Sequence, residues 1–214
     1  MLVRSTLRDL VLATWQAPPA ALTPKLPAGL ELETTASGDA LVSLVGMRVT
    51  RSRSGRLPLP GFSQVTLRTY VIAEDGPAVF FLGLRVTAGG LGGALIGLPV
   101  RAARLRVRDG LVQGGSLGLS VRYRCVGASP EVPVLPSGPL GHHDVAYLYS
   151  AGVRRLATTH DPFRWEAAEL LEKPRLEPLQ ALGLDVGMPD SLLYAASTRF
   201  ELQLPPVKAG ESVL

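Results

Sequence analysis

Residues 64–71 repeat with a period of two. Val65, Leu67, Thr69 and Val71 hold one set of positions, and Gln64, Thr66, Arg68 and Tyr70 hold the other. That period is the pleat of a β-strand and fits no helix. The two faces differ in kind. One is apolar or β-branched and suits a core. The other aligns an amide, a hydroxyl, a guanidinium and a phenol, each able to make directed hydrogen bonds. An ordinary surface strand shows solvent a looser mix of Lys, Glu, Ser and Thr. This row therefore reads as the inner wall of a pocket more than as a wet face.

Much of the chain obeys the same period. Residues 40–49 (ALVSLVGMRV) are apolar on both faces, as in a strand covered from both sides. Further strands are expected over 10–14, 30–34, 78–86, 101–108, 117–125, 145–149, 153–159 and 192–204. Turn signals separate them, the clearest being Asp109-Gly110. Short helices are expected over 20–26, 89–96 and 178–182, a long loop over 129–141, and a frayed tail after Pro205. The 23 Gly and 18 Pro are scattered, which fits many turns. The pattern is mainly β, of α+β class: a barrel or sandwich with a few short helices. No linker interrupts it, so residues 1–214 read as a single domain.

Hydrophobic residues at 46% and charged residues at 19% exclude disorder for the bulk of the chain. The net charge of +4 is spread out, with one modest cluster at Arg101, Arg104, Arg106 and Arg108. Nucleic-acid binding needs a denser patch with interleaved aromatics, and aromatics are only 6%, so no nucleic-acid partner is expected. Of 22 basic residues 19 are Arg, a bias that suggests a GC-rich bacterial genome. The lone Cys125 allows no intrachain disulfide, and cytoplasmic residence is the simplest fit. Residues 1–9 carry no secretory h-region. The apolar run 88–100 falls short of the ~20 residues of a spanning helix, so no membrane partner is expected.

Most catalytic chemistries find no motif. The histidines are His142, His143 and His160, of which the first two are adjacent and point apart on a regular element, so no metal site is expected. Ser43, Ser63 and Ser120 lack a nucleophile elbow. Glycine-rich phosphate loops are absent, and no cofactor is expected. Cys125 reads as a small buried hydrophobe. Lys25, Lys173 and Lys208 lack the apolar frame that activates an imine-forming amine. The polar strand face remains. Arg68, flanked by hydrophobic neighbours, is expected to be half-buried and to need either a structural carboxylate or an anionic ligand. Arg101 shares a face with Ala103 and Leu105. Trp15, Phe163 and Trp165 can wall a pocket or pack a core.

Several segments together carry a resemblance. They are Trp15-Gln16-Ala17-Pro18, Leu26-Pro27-Ala28-Gly29-Leu30-Glu31-Leu32, ALVSLVG from Ala40 and VTLRTYV from Val65. Gly97-Leu98-Pro99 and His160-Asp161-Pro162-Phe163 fit it as well. The chain resembles an uncharacterised bacterial family, YqjF-like, that is distantly similar to acetoacetate decarboxylase. The resemblance implies a partly closed, cone-shaped antiparallel β-barrel with an internal cavity. In the decarboxylase a Gly-Phe-Pro-Lys-Lys segment supplies the Schiff-base lysine and a second lysine that lowers its pKa. An arginine and a glutamate complete that site. By resemblance, Val100 stands where the imine-forming lysine would be, and Arg101 keeps only the charge of its neighbour. Gln16 falls at the arginine position and Gln64 at the glutamate position. Valine forms no imine, and glutamine is a poor general base.

The expectation is a protein without Schiff-base decarboxylase activity that binds a small organic, carboxylate-type ligand in the barrel. Gln64, Arg68 and Tyr70 would line the cavity, with Arg101 at its edge and Gln16 and Val100 completing the set. No residue is assigned as catalytic. Two alternatives stay open: a hydratase- or isomerase-like enzyme acting through Tyr70 or His160, and a structural module that assembles into a homo-oligomer.

Overall fold

The structure, a computed structural model, describes residues 1–127, 130–141, 143–150 and 152–209. Its principal strands are β1 (Leu2–Ala17), β2 (Ala40–Ser54), β3 (Phe62–Ala73), β4 (Gly76–Val86), β5 (Arg106–Arg108) and β6 (Leu111–Gly114). They continue with β7 (Leu119–Cys125), β8 (Val145–Tyr149), β9 (Val153–His160), β10 (Glu166–Leu170) and β11 (Ser191–Gln203). Helix is confined to α1 (Pro19–Leu22), α2 (Glu177–Gln180) and short 3-10 turns, the longest over Ala88–Ile96. Among the described residues no helix is long and apolar enough to cross a membrane.

Seven strands close a ring in the order β1–β2–β3–β4–β8–β9–β11 and back to β1. Every neighbour is antiparallel except β4 and β8, which run parallel. Closure pairs strands that would otherwise be open edges. From β11 the sheet also continues through β10, β7, β6 and β5. This outer layer packs on the outward face of β1–β3.

Two cores follow from that arrangement. Inside the ring lie Leu12, Leu41, Val45, Tyr70, Val79 and Leu148. Outside it, Val11, Val42, Leu44, Val65 and Leu67 meet Val107, Val112, Val121, Tyr123 and Leu179. This is why residues 40–49 are apolar on both faces: Leu41 and Val45 point in, while Val42 and Leu44 point out. Gly46 belongs to the outward set. A Cβ there would lie 2.6 and 3.0 Å from the two methyls of Val112. Tyr123 and Tyr194 pack in the outer core with ring centroids 5.9 Å apart.

Several elements depart from the sequence reading. β1 is 16 residues long, not five, because a bulge interrupts its period. Its register with β2 shifts between Arg8 and Val11, and Asp9 takes φ of 49°. Asp tolerates that left-handed backbone better than most residues. The bulge puts both Leu7 and Leu10 inside, three residues apart, and Arg48 Nε caps the Asp9 carboxylate at 2.5 Å. Residues 101–108 are not one strand: Arg101–Ala102 pairs with β4, and β5 begins only at Arg106. The tail does not fray directly after Pro205, since Val207–Lys208 pairs with Arg154 and Arg155 of β9. Cys125 is half-buried at the edge of the outer core. Burial, with Asp109 and Glu166 adding, pushes its thiol up to about 11, so it stays protonated near neutral pH.

The β3–β4 turn is tied to the next two strands of the ring, β8 and β9. Asp75 accepts hydrogen bonds from the Tyr147 hydroxyl at 2.5 Å and from Arg155 Nε. Burial alone would raise the Asp75 carboxyl, but those two donors outweigh it and hold the carboxyl below its usual value. Burial and Asp75 push Tyr147 up to about 12. A carboxyl lowered by folding stabilises the protein above its unfolded pKa of about 3.9, and that contribution fades as pH falls through the folded value. Asp75→Asn is therefore expected to flatten the acid limb of stability. Urea midpoints at pH 6 and pH 3 check this: the wild type should lose more stability between them than the variant. Equal losses would contradict the role given to Asp75.

Candidate functional site

The ring is not packed solid. A cavity of about 150 Å³ lies inside it, and all seven ring strands contribute to its lining. Most of the wall is apolar, as at Leu12, Val45, Met47, Phe62, Phe81 and Phe200. The polar exceptions are Gln64, Thr66 and Arg68 from β3, Thr158 and His160 from β9, and His143 and Trp165 from the connecting loops.

β3 supplies its three residues at alternate positions, so the pleat alone aims them at the interior. Gln64 Nε2 donates to Thr66 Oγ1 at 3.0 Å. Arg68 Nη2 donates to the Tyr70 hydroxyl at 3.5 Å, and its guanidinium carbon lies 5.5 Å from the Tyr70 ring centroid. Tyr70 itself is fully buried and backs Arg68 rather than lining the cavity. Its hydroxyl is 2.8 Å from Ser43 Oγ, which is 2.9 Å from Thr14 Oγ1. Thr14 pairs with Ser43 and Ser43 with Arg68 in the strand register, so one polar chain crosses β1, β2 and β3.

Two donors on this wall lack acceptors. Among the described residues, buried Arg68 Nε and buried Trp165 Nε1 have no hydrogen-bond partner. Nor does any described carboxylate form an ion pair with Arg68. An unsatisfied buried donor costs about 1–3 kcal/mol, so native proteins rarely keep one without a use.

The aromatic side of the cavity is a stack. His160 lies 4.4 Å from Phe163, and Phe163 lies 4.7 Å from Trp165, centroid to centroid. His160 Nδ1 is 2.9 Å from the carbonyl oxygen of Asp161. A carbonyl only accepts, so Nδ1 carries the proton and Nε2 of the neutral ring is the acceptor. His143 packs against Tyr70 with centroids 5.3 Å apart, and its Nε2 lies 4.0 Å from Glu33 Oε2. Glu33, only 3% exposed, accepts from Ser137 N–H at 2.7 Å and from Ser137 Oγ at 2.8 Å. This pins the loop bearing Ser137 to the ring.

Of the residues singled out in the sequence, the structure brings Gln64, Arg68 and Tyr70 together. It does not bring the other three to them. Arg101 is exposed and lines a separate depression outside the ring with Lys25 and Arg85. Val100 is half-buried next to it and is not among the cavity residues. Gln16 is exposed near the end of β1, where its backbone N–H donates to Asp190 Oδ2 at 2.6 Å. Phe163 and Trp165 line the cavity, whereas Trp15 packs in the outer core. His142 lies outside the described residues. No lysine is among the described residues that line the cavity, and no three described His, Cys, Asp or Glu side chains converge as a metal site. The Thr14–Ser43 link has no signature in either segment beyond a lone hydroxyl inside an apolar run.

Residues 4–199 match the DUF2071 family of uncharacterized conserved proteins. The chain belongs to this family. The uncharacterized protein YqjF of Bacillus subtilis (strain 168) is 33% identical over 87 residues. That match covers 39% of this chain and 36% of YqjF, so the aligned part spans about a third of the curated relative. Among solved structures, this DUF2071 protein is similar to an acetoacetate decarboxylase-like enzyme from Sphingomonas wittichii RW1. The TM-score is 0.61 at 16% identity, over 99% of this chain and 94% of that one. The acetoacetate decarboxylase of Legionella pneumophila gives 0.58 at 14%, over 97% and 86%. The enduracididine biosynthesis enzyme MppR complexed with pyruvate gives 0.52 at 14%, over 94% and 86%. At these identities the shared property is the fold: the ring of strands is that of acetoacetate decarboxylase-like proteins.

Proposed function

We propose that the chain binds a small organic carboxylate, non-covalently, inside the ring. One observation carries the reading: two buried, unpartnered donors, Arg68 Nε and Trp165 Nε1, line the same apolar cavity. A carboxylate is acceptor-only and matches a guanidinium in charge and shape. Apolar cavities of about 150 Å³ hold benzene, so the ligand body is a short chain or one ring. Gln64 and Thr66 offer neutral polar contacts that orient it. MppR, which shares the fold, is complexed with pyruvate, a ligand of this class.

No lysine is among the described residues of that wall, which argues against imine chemistry. Val100 cannot form an imine, Lys25 lines the outer depression, and Lys173 and Lys208 are exposed. Borohydride reduction in the presence of acetoacetate is expected to leave the mass of the protein unchanged. A covalent adduct on any lysine would overturn the non-covalent reading.

A second reading, hydration or isomerisation of the bound acid, has His160 behind it. Its Nδ1–H is fixed on the Asp161 carbonyl, which leaves Nε2 to accept a proton beside the ligand. Exchange of α-protons of small keto acids in deuterium oxide, compared between wild type and His160→Gln, tests it. No exchange above the buffer rate would count against an enzyme.

A further inference from the structure

A second polar site lies outside the ring, on β4. The parallel pairing of β4 with Arg101–Ala102 sets Arg85 opposite Arg101. Like charges directly opposite on paired strands are destabilising. Among the described residues neither guanidinium meets a carboxylate, and the hydrogen bond made by Arg85 goes to the Leu84 carbonyl at 3.4 Å. Both arginines line a depression of about 420 Å³ together with Lys25, Tyr149 and Leu82. No described acidic residue lines it. Burial, and then the charge of Arg101, push the Arg85 guanidinium below its usual pKa.

Three cations around one depression, with no described carboxylate in its lining, leave an anion as the missing component. We propose that this depression binds a phosphate monoester, with Arg85 and Arg101 on its oxygens and Lys25 as the third cation. A dianion with three terminal oxygens suits adjacent guanidiniums better than a carboxylate does. Tyr149, 62% exposed, offers an aromatic face for the organic part of the ester. The site is separate from the ring cavity, although Phe81 borders both.

Phosphorus NMR titration with phenyl phosphate, at constant ionic strength set by chloride, tests the proposal. The wild type should show saturable binding. Arg101→Gln, a change at an exposed side chain, should weaken it about 10-fold or more, the scale of a charged hydrogen bond. Arg68→Met should leave it intact, which separates this site from the carboxylate cavity. No saturable binding, or equal binding by wild type and Arg101→Gln, would overturn it. So would capture by vesicles containing phosphatidylglycerol with no response to phenyl phosphate, because the ligand would then be a phosphodiester on a lipid surface.

Discussion

Replacing Arg68 with methionine is expected to raise the stability of the free protein while weakening binding of small carboxylates by about 10- to 100-fold. The opposite signs are the point. In the free protein Arg68 Nε is buried and has no partner among the described residues, and relieving that burden is worth about 1–3 kcal/mol. Against it stand one long hydrogen bond to Tyr70 and a cation–π contact of about 1 kcal/mol. Methionine is flexible and fills similar space without a donor. The net expectation is a gain of about 1 kcal/mol, read as a higher urea midpoint with no change in m. In a thermal-shift series with pyruvate and benzoate, the wild type should be stabilised and the variant should not. A variant that is less stable when free and still binds both acids would make Arg68 a structural residue.

Gly46→Ala is expected to cost about 1–3 kcal/mol, by overpacking the seam between the ring and the outer layer. The new methyl would sit 2.6 Å from one methyl of Val112 and 3.0 Å from the other, and Val112 is fully buried on β6. A β-branched side chain has no ready alternative rotamer with which to yield. Val112→Ala alone opens a void and should cost about 2 kcal/mol. In the double variant the methyl added at position 46 occupies part of that void. The two changes should therefore cost at least about 1 kcal/mol less than their sum. Additive costs would mean that the two sites do not touch.

What could be read in advance depended on whether one strand carried its own contrast. β3 did: its inward face is polar and its outward face apolar, so its period was visible and Gln64 and Arg68 were found. β2 is legible for a different reason: a run apolar on both faces marks a strand covered from both sides. β1 was not, because the bulge at Asp9 sets Leu7 and Leu10 on one face at a spacing of three, which no period of two predicts. β10 is not legible in the sequence, because EAAEL has no alternation and its place is decided by β7 and β11 on either side. In the sequence, a motif position and an apparent alternation with Ala103 and Leu105 put Arg101 at the cavity edge. The structure breaks that stretch and pairs Arg101 with β4, which carries it outside the ring. The Thr14–Ser43–Tyr70 chain depends on register across three strands and was beyond any single segment.

A crystal structure of the protein grown with benzoate tests the carboxylate cavity most directly. The expected result is the ring of benzoate inside the strand ring, among the apolar side chains, with a carboxylate oxygen within hydrogen-bonding distance of Arg68 Nε. An empty interior at saturating benzoate, or benzoate bound only outside the ring, would contradict it.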